Sequence, residues 1–156
     1  MELKRTRFIV EAAIIAAMYA ALTITIPGGS GQIQVRVAEA LTVLPFFTPA
    51  AIPGLFIGCV IANLFVGAGP YDIIFGSLAT LVAAVLTYKM PKKWLAPLPP
   101  IIINAVVVAF VLNYVVGAPL LITMGFVALG EIIACYVLGY PLLLLLDKQR
   151  DKIFRK

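Results

Sequence analysis

Apolar residues in this chain run in long blocks, punctuated by Gly and Pro, and do not alternate with polar ones. Six blocks stand out: Arg7–Ile26, Ile33–Thr48, Ala50–Val66, Tyr71–Tyr88, Pro100–Val116 and Pro119–Leu146. Blocks that are apolar all round predict helices whose every face meets lipid or other helices. A helix needs about 20 residues to cross the hydrocarbon, with a range of about 17–25. The second and third blocks are short on that measure. Pro45, Pro49 and Pro53 cluster at their junction, which predicts two tight spans joined by a hairpin, or a re-entrant pair. The sixth block is long enough to tilt or to extend past the bilayer.

Composition agrees with this pattern. Of 156 residues, 63% are hydrophobic and 12% charged, against about 45–50% and about 25% in soluble domains. The expected fold class is an all-α membrane protein with six transmembrane helices, packed as one transmembrane domain over residues 1–156. The start of the chain superficially resembles a signal peptide, with Lys4, Arg5 and Arg7 ahead of an apolar stretch. That stretch, Phe8–Ile26, is about 19 residues against an h-region of about 7–15, so it reads as a retained first helix.

The formal net charge of +5 sits in short clusters. Lys4, Arg5 and Arg7 precede the first block. Lys89, Lys92 and Lys93 follow the fourth, and Lys148, Arg150, Lys152, Arg155 and Lys156 follow the sixth. The connections after the first, third and fifth blocks carry no Lys or Arg. Six spans with both termini cytoplasmic satisfy the positive-inside rule, and loop placement explains the charge better than nucleic-acid binding does. The uncharged Thr48–Ala51 turn is placed inside by counting alone. Trp94 and Tyr88 suit an interfacial belt.

Charges within spans are costly and mark function by default. Glu11, Arg36, Glu39, Asp72 and Glu131 are such charges. Glu11 lies four residues from Arg7, which predicts a surface pair. Under the topology above, Gln34, Arg36, Glu39, Asn63, Tyr71, Asp72 and Asn113 fall toward the outside and Glu131 nearer mid-span. Together they predict a water-accessible, outward-facing pocket. Its charged members are three carboxylates (Glu39, Asp72, Glu131) and one guanidinium (Arg36), which favours a neutral or cationic ligand presenting N–H groups. Phe46, Tyr71, Tyr114 and Phe126 are aromatics suited to stack on a flat ring. Simpler readings stand beside this one: Arg36 pairing with Glu39, Asp72 on a helix N-terminus, and Asn63 and Asn113 as interhelical contacts.

The first block carries two small-residue stripes, Ala12, Ala16, Ala20 and Ala13, Ala17, Ala21. Gly54, Gly58 and Ala62 repeat the spacing in the third block. Such stripes let another helix approach closely, either within the bundle or as a docking face for a partner membrane protein. Cys59 and Cys135 sit in apolar runs with no metal or redox spacing, and the chain has no histidine. Histidine-dependent triads are therefore excluded, and no P-loop motif is present. The chain reads as a non-enzyme that calls for no cofactor or metal. Any pumping must draw energy from a partner or an ion gradient. A stand-alone proton-coupled transporter using Glu131 stays open, though duplicated halves are not evident.

The stretch from Gln34 through Arg36, Glu39, Pro45, Pro49, Pro53, Gly54 and Asn63 to Asp72, Gly76 and Thr80 resembles the QueT family. These are queuosine-precursor substrate-binding (S) subunits of energy-coupling-factor (ECF) importers. The resemblance covers most of the chain and is weaker in the last two blocks. It implies a six-helix S subunit in the cell membrane that binds a 7-deazaguanine, a prequeuosine base or queuine, from outside. It also implies a membrane coupling subunit (EcfT-like) and two cytoplasmic ATPases (EcfA-like). Gln34, Arg36, Glu39, Asn63 and Asp72 carry over as motif positions, and the Ala12–Ala21 stripe as the docking signature. An S subunit for another flat, nitrogen-rich vitamin is the nearest alternative.

Overall fold

Every element among the described residues is helical, with no strand. The computed structural model of the chain describes residues 2–26 and 35–150. Six helices follow in order: α1 (Glu2–Thr25), α2 (Val37–Phe46), α3 (Ala51–Phe65), α4 (Asp72–Tyr88), α5 (Leu98–Val116) and α6 (Leu120–Lys148). A short 3-10 turn, Lys93–Leu95, leads into α5. Three segments are long and apolar enough to cross a membrane: Leu3–Thr25, Lys93–Val116 and Leu120–Lys148. The other three helices are apolar but shorter. The expected six helices are present, and three of them have spanning length.

The proline-rich junction shapes α2. This helix is wound as a 3-10 helix of 10 residues with Pro45 inside it. At about 2.0 Å rise per residue, ten residues reach about 20 Å, against about 15 Å in an α-helix. Ala38 through Pro45 are all buried, and α2 is packed against α1, α4 and α6. It is thus a central strut and not a peripheral hairpin arm. The chain then turns at Thr48, whose Oγ1 accepts from the Ala50 N–H at 3.3 Å, and enters α3.

The most extensive pairing is α1 on α3. It depends on the absence of side chains at two positions. A Cβ on Gly54 would lie 2.8 Å from the Ala12 carbonyl oxygen, and one on Gly58 would lie 2.8 Å from that of Ala16. The first alanine stripe is accordingly turned inward: Ala16 and Ala20 are buried and Ala12 half-buried. Ala13, Ala17 and Ala21 remain exposed.

Contacts sort the connections to the two ends of the bundle. At one end, Arg7 pairs with Glu11 at 2.8 Å, and Glu11 Oε2 accepts from the Thr48 hydroxyl at 3.0 Å. Phe46 and Phe47 there pack against Val43, Ala96 and Leu143, and Lys93 pairs with Asp147. The opposite end holds the turn after α5, where Gly117 adopts a left-handed φ of 69° that only glycine takes at no cost.

Candidate binding site

Three helices bring polar groups together in the interior. α2 supplies Glu39, α5 supplies Asn104 and α6 supplies Glu131, exposed to 2%, 4% and 8% respectively. The Asn104 amide nitrogen donates to Glu131 Oε1 at 3.1 Å and to Glu39 Oε2 at 3.4 Å. Its two N–H groups are thereby both directed at carboxylates. On the other side of Glu39, the hydroxyl of fully buried Tyr19 on α1 donates to Oε1. The Thr42 hydroxyl donates to the Glu39 carbonyl at 2.6 Å. The Cys135 thiol lies 3.6 Å from Glu131 Oε2. Cys135 belongs to a π-helical stretch of α6, Ile133–Gly139, that starts just past Glu131 and packs on α2. Such bulges in an α-helix are frequent at functional sites.

These groups form the polar part of a cavity of about 310 Å³. Arg36, Glu39, Thr80, Asn104 and Glu131 line that part. Val108, Leu112, Ile122, Phe126 and Val127 form apolar walls that run to Val116, Ala118 and Pro119 at the α5–α6 turn. Ionised carboxylates only accept hydrogen bonds, so the polar part suits a ligand rich in N–H donors, and the walls suit a flat apolar face.

The expected site residues divide between this cavity and its surroundings. Arg36, Glu39 and Glu131 line it. Gln34 lies outside the described residues. Asn63 is buried on α3 and donates to the Asp72 carbonyl at 3.3 Å and to Cys59 Sγ at 3.6 Å. It ties the start of α4 to α3 and does not line the cavity. Asp72 is half-buried at the first residue of α4. Asn113 is exposed, and its amide donates to the Ala118 carbonyl at 2.7 Å, closing the turn after α5. Tyr71 is exposed and packs edge-on against Tyr114 at 5.3 Å, in a separate apolar groove with Phe75 and Phe110. Of the four aromatics expected to stack on a ligand, Phe126 lines the cavity, and Phe46 sits at the far end of the bundle. The cavity therefore holds two carboxylates and one guanidinium, without Asp72. Asn104, Thr80 and Tyr19 are the residues that sequence reasoning missed. A lone Asn between Ile103 and Ala105, in an otherwise apolar run, was the available signal for the first.

All the cavity-lining residues fall within residues 9–148, the span over which the chain matches a family model described as QueT transporter. The chain belongs to the QueT transporter family. A relative in Lactococcus lactis subsp. cremoris (strain MG1363) is described as queuosine precursor transporter QueT. It is 36% identical over 155 residues, covering 88% of this chain and 90% of the relative. No solved structure matches the chain. The family and the relative are described as transporters. Membership in the family and the long apolar helices together make this a membrane protein.

Proposed function

We propose that this chain is the substrate-binding subunit of an energy-coupling-factor importer and captures a queuosine precursor, a 7-deazaguanine base or queuine, from outside the cell. The observation that carries this reading is the small cavity holding Glu39, Asn104 and Glu131 at its polar part. At about 310 Å³ it stands at the lower end of ligand pockets, which run about 300–1,000 Å³, the size of a base and not of a nucleotide. A 7-deazaguanine presents a ring N–H beside an exocyclic amine, and one carboxylate accepts both, as it accepts an arginine fork. That the 36% identical relative is a queuosine precursor transporter supports the same class of substrate.

In this reading all six helices cross the membrane of the cell, and both termini are cytoplasmic. Arg7, Lys93 and Lys148 gather with the Thr48 turn at the inner end. The α5–α6 turn and the mouth of the cavity face outside. The exposed stripe Ala13, Ala17 and Ala21 docks the membrane coupling subunit, whose two cytoplasmic ATPases drive uptake. The inner stripe is already spent on α3.

Calorimetric titration of the purified protein in detergent tests the substrate. Queuine and both prequeuosine bases are expected to bind. Thiamine and riboflavin are expected to bind at least about 100-fold more weakly, the equivalent of about 3 kcal/mol of unmatched hydrogen bonding. Tight binding of either vitamin instead, or binding of no compound by folded protein, rejects the assignment.

A further inference from the structure

Glu39 and Glu131 share one amide nitrogen but are not equivalent. Glu39 is supplied by the protein on both oxygens, Oε1 by the Tyr19 hydroxyl and Oε2 by Asn104. Glu131 receives one full hydrogen bond, from Asn104 on Oε1. Its Oε2 meets the Cys135 thiol at 3.6 Å, and a thiol is a weak donor. Both side chains line the cavity, and both are more than nine-tenths buried. A buried carboxylate with unfilled acceptor sites is costly unless something supplies donors. The fold supplies them to Glu39 and leaves those of Glu131 to the occupant of the cavity.

We propose that Glu131 is the specificity-determining residue, whose carboxylate accepts the paired N–H donors of a 2-aminopyrimidinone ring edge. Tyr19, Glu39 and Asn104 are positioning residues that act through it. This rests on the binding reading above and assigns the roles within it. The path is continuous across four helices. Tyr19 on α1 fixes Glu39 on α2, Glu39 takes one N–H of Asn104 on α5, and the amide is thereby turned so that its other N–H meets Glu131 on α6. Either carboxylate would suffice for charge alone, but Glu131 is the one with an oxygen that meets only a weak thiol donor, which leaves that oxygen open to a ligand's donor pattern.

The test compares a prequeuosine base with the same base lacking its 2-amino group, titrated by calorimetry. The wild-type protein is expected to prefer the 2-amino base by about 100-fold. Glu131→Gln should abolish that preference, because an amide presents a donor where the ligand also presents one. Tyr19→Phe should weaken both ligands about tenfold and keep the preference. Tyr19→Phe and Glu39→Gln should be non-additive, since the first acts through the second. If Glu131→Gln does not fold, Glu131→Asp retains the charge at shorter reach and is expected to reduce the preference. A preference that survives either Glu131 variant and disappears in Glu39→Gln overturns the assignment while leaving the substrate intact. So do additive effects of Tyr19→Phe and Glu39→Gln. Wild-type protein that binds neither base overturns the functional reading and this assignment together.

Discussion

At the scale of single residues, one amide bridges two buried carboxyl groups. Asn104 stands between Glu39 and Glu131 and donates to both. Replacing it by leucine removes two hydrogen bonds and leaves two buried carboxyl groups without their shared donor. Asn104→Leu is expected to lower stability by about 2–4 kcal/mol, read as a fall in the thermal unfolding midpoint in detergent. An unchanged midpoint would mean the amide does not bridge the pair. The site was half legible in advance. Charges announce themselves against an apolar background, so Arg36, Glu39 and Glu131, which line the cavity, stand out in the sequence. Asn104 and Tyr19 carry no formal charge, and their worth comes from which way each helix is turned. Residues that sequence placed at the same level but the fold keeps off this cavity have the same explanation. Tyr71, Asp72, Asn63 and Asn113 share a level in the chain's topology with the pocket. Tyr71, Asn63 and Asn113 make local contacts instead, and Asp72 stays outside the cavity at the start of α4.

At the scale of elements, the small residues of α1 and α3 decide how near the helices come. Both stripes of α1 are regular in sequence, and spacing alone cannot say which one faces inward. The structure assigns Ala12, Ala16 and Ala20 to α3, against Gly54 and Gly58, and leaves Ala13, Ala17 and Ala21 exposed. Two substitutions separate the roles. Gly58→Leu drives a side chain into the Ala16 backbone and toward the Tyr19 Cβ, 3.0 Å from where its own Cβ would stand. Overpacking of this kind costs about 1–3 kcal/mol or more, so a lower unfolding midpoint and weaker ligand binding are expected together. Ala17→Leu touches only the exposed stripe. Its unfolding midpoint and ligand affinity should match wild type, while, under the proposed importer reading, co-purification with a membrane coupling subunit is lost. Retained co-purification would move the docking surface elsewhere. The helical class and the approximate bounds of all six elements were readable from apolar runs and proline positions. The winding of α2 was not, because a 3-10 segment and a short α-helix leave the same hydrophobic signature, and burial on all sides erases any periodicity.

At the scale of the whole molecule, function depends on which end of the bundle faces out. The charge pattern alone left the Thr48 turn unassigned, since it carries no Lys or Arg. Its hydrogen bond to Glu11, itself paired with Arg7, puts that turn beside the basic start of α1. The packing of Phe46 and Phe47 with Ala96 and Leu143 brings the α4–α5 connection and the end of α6 to the same place. Arg7, Lys93 and Asp147 beside Lys148 thus share one end with the uncharged turn, and the proposed function makes that end the cytoplasmic one. The cavity reaches the α5–α6 turn at Ala118 and Pro119, at the opposite end. Two single-cysteine probes test this directly. Cys59 and Cys135 are buried and contribute little background to labelling. In intact cells, Leu121→Cys, at a position 80% exposed beside the α5–α6 turn, should react with a membrane-impermeant maleimide. Lys92→Cys, exposed in the basic α4–α5 connection, should react only after permeabilisation. The reverse pattern would turn the cavity toward the cytoplasm. The Glu39–Asn104–Glu131 cluster would then be a release site, and capture from outside would need a route that this cavity does not offer.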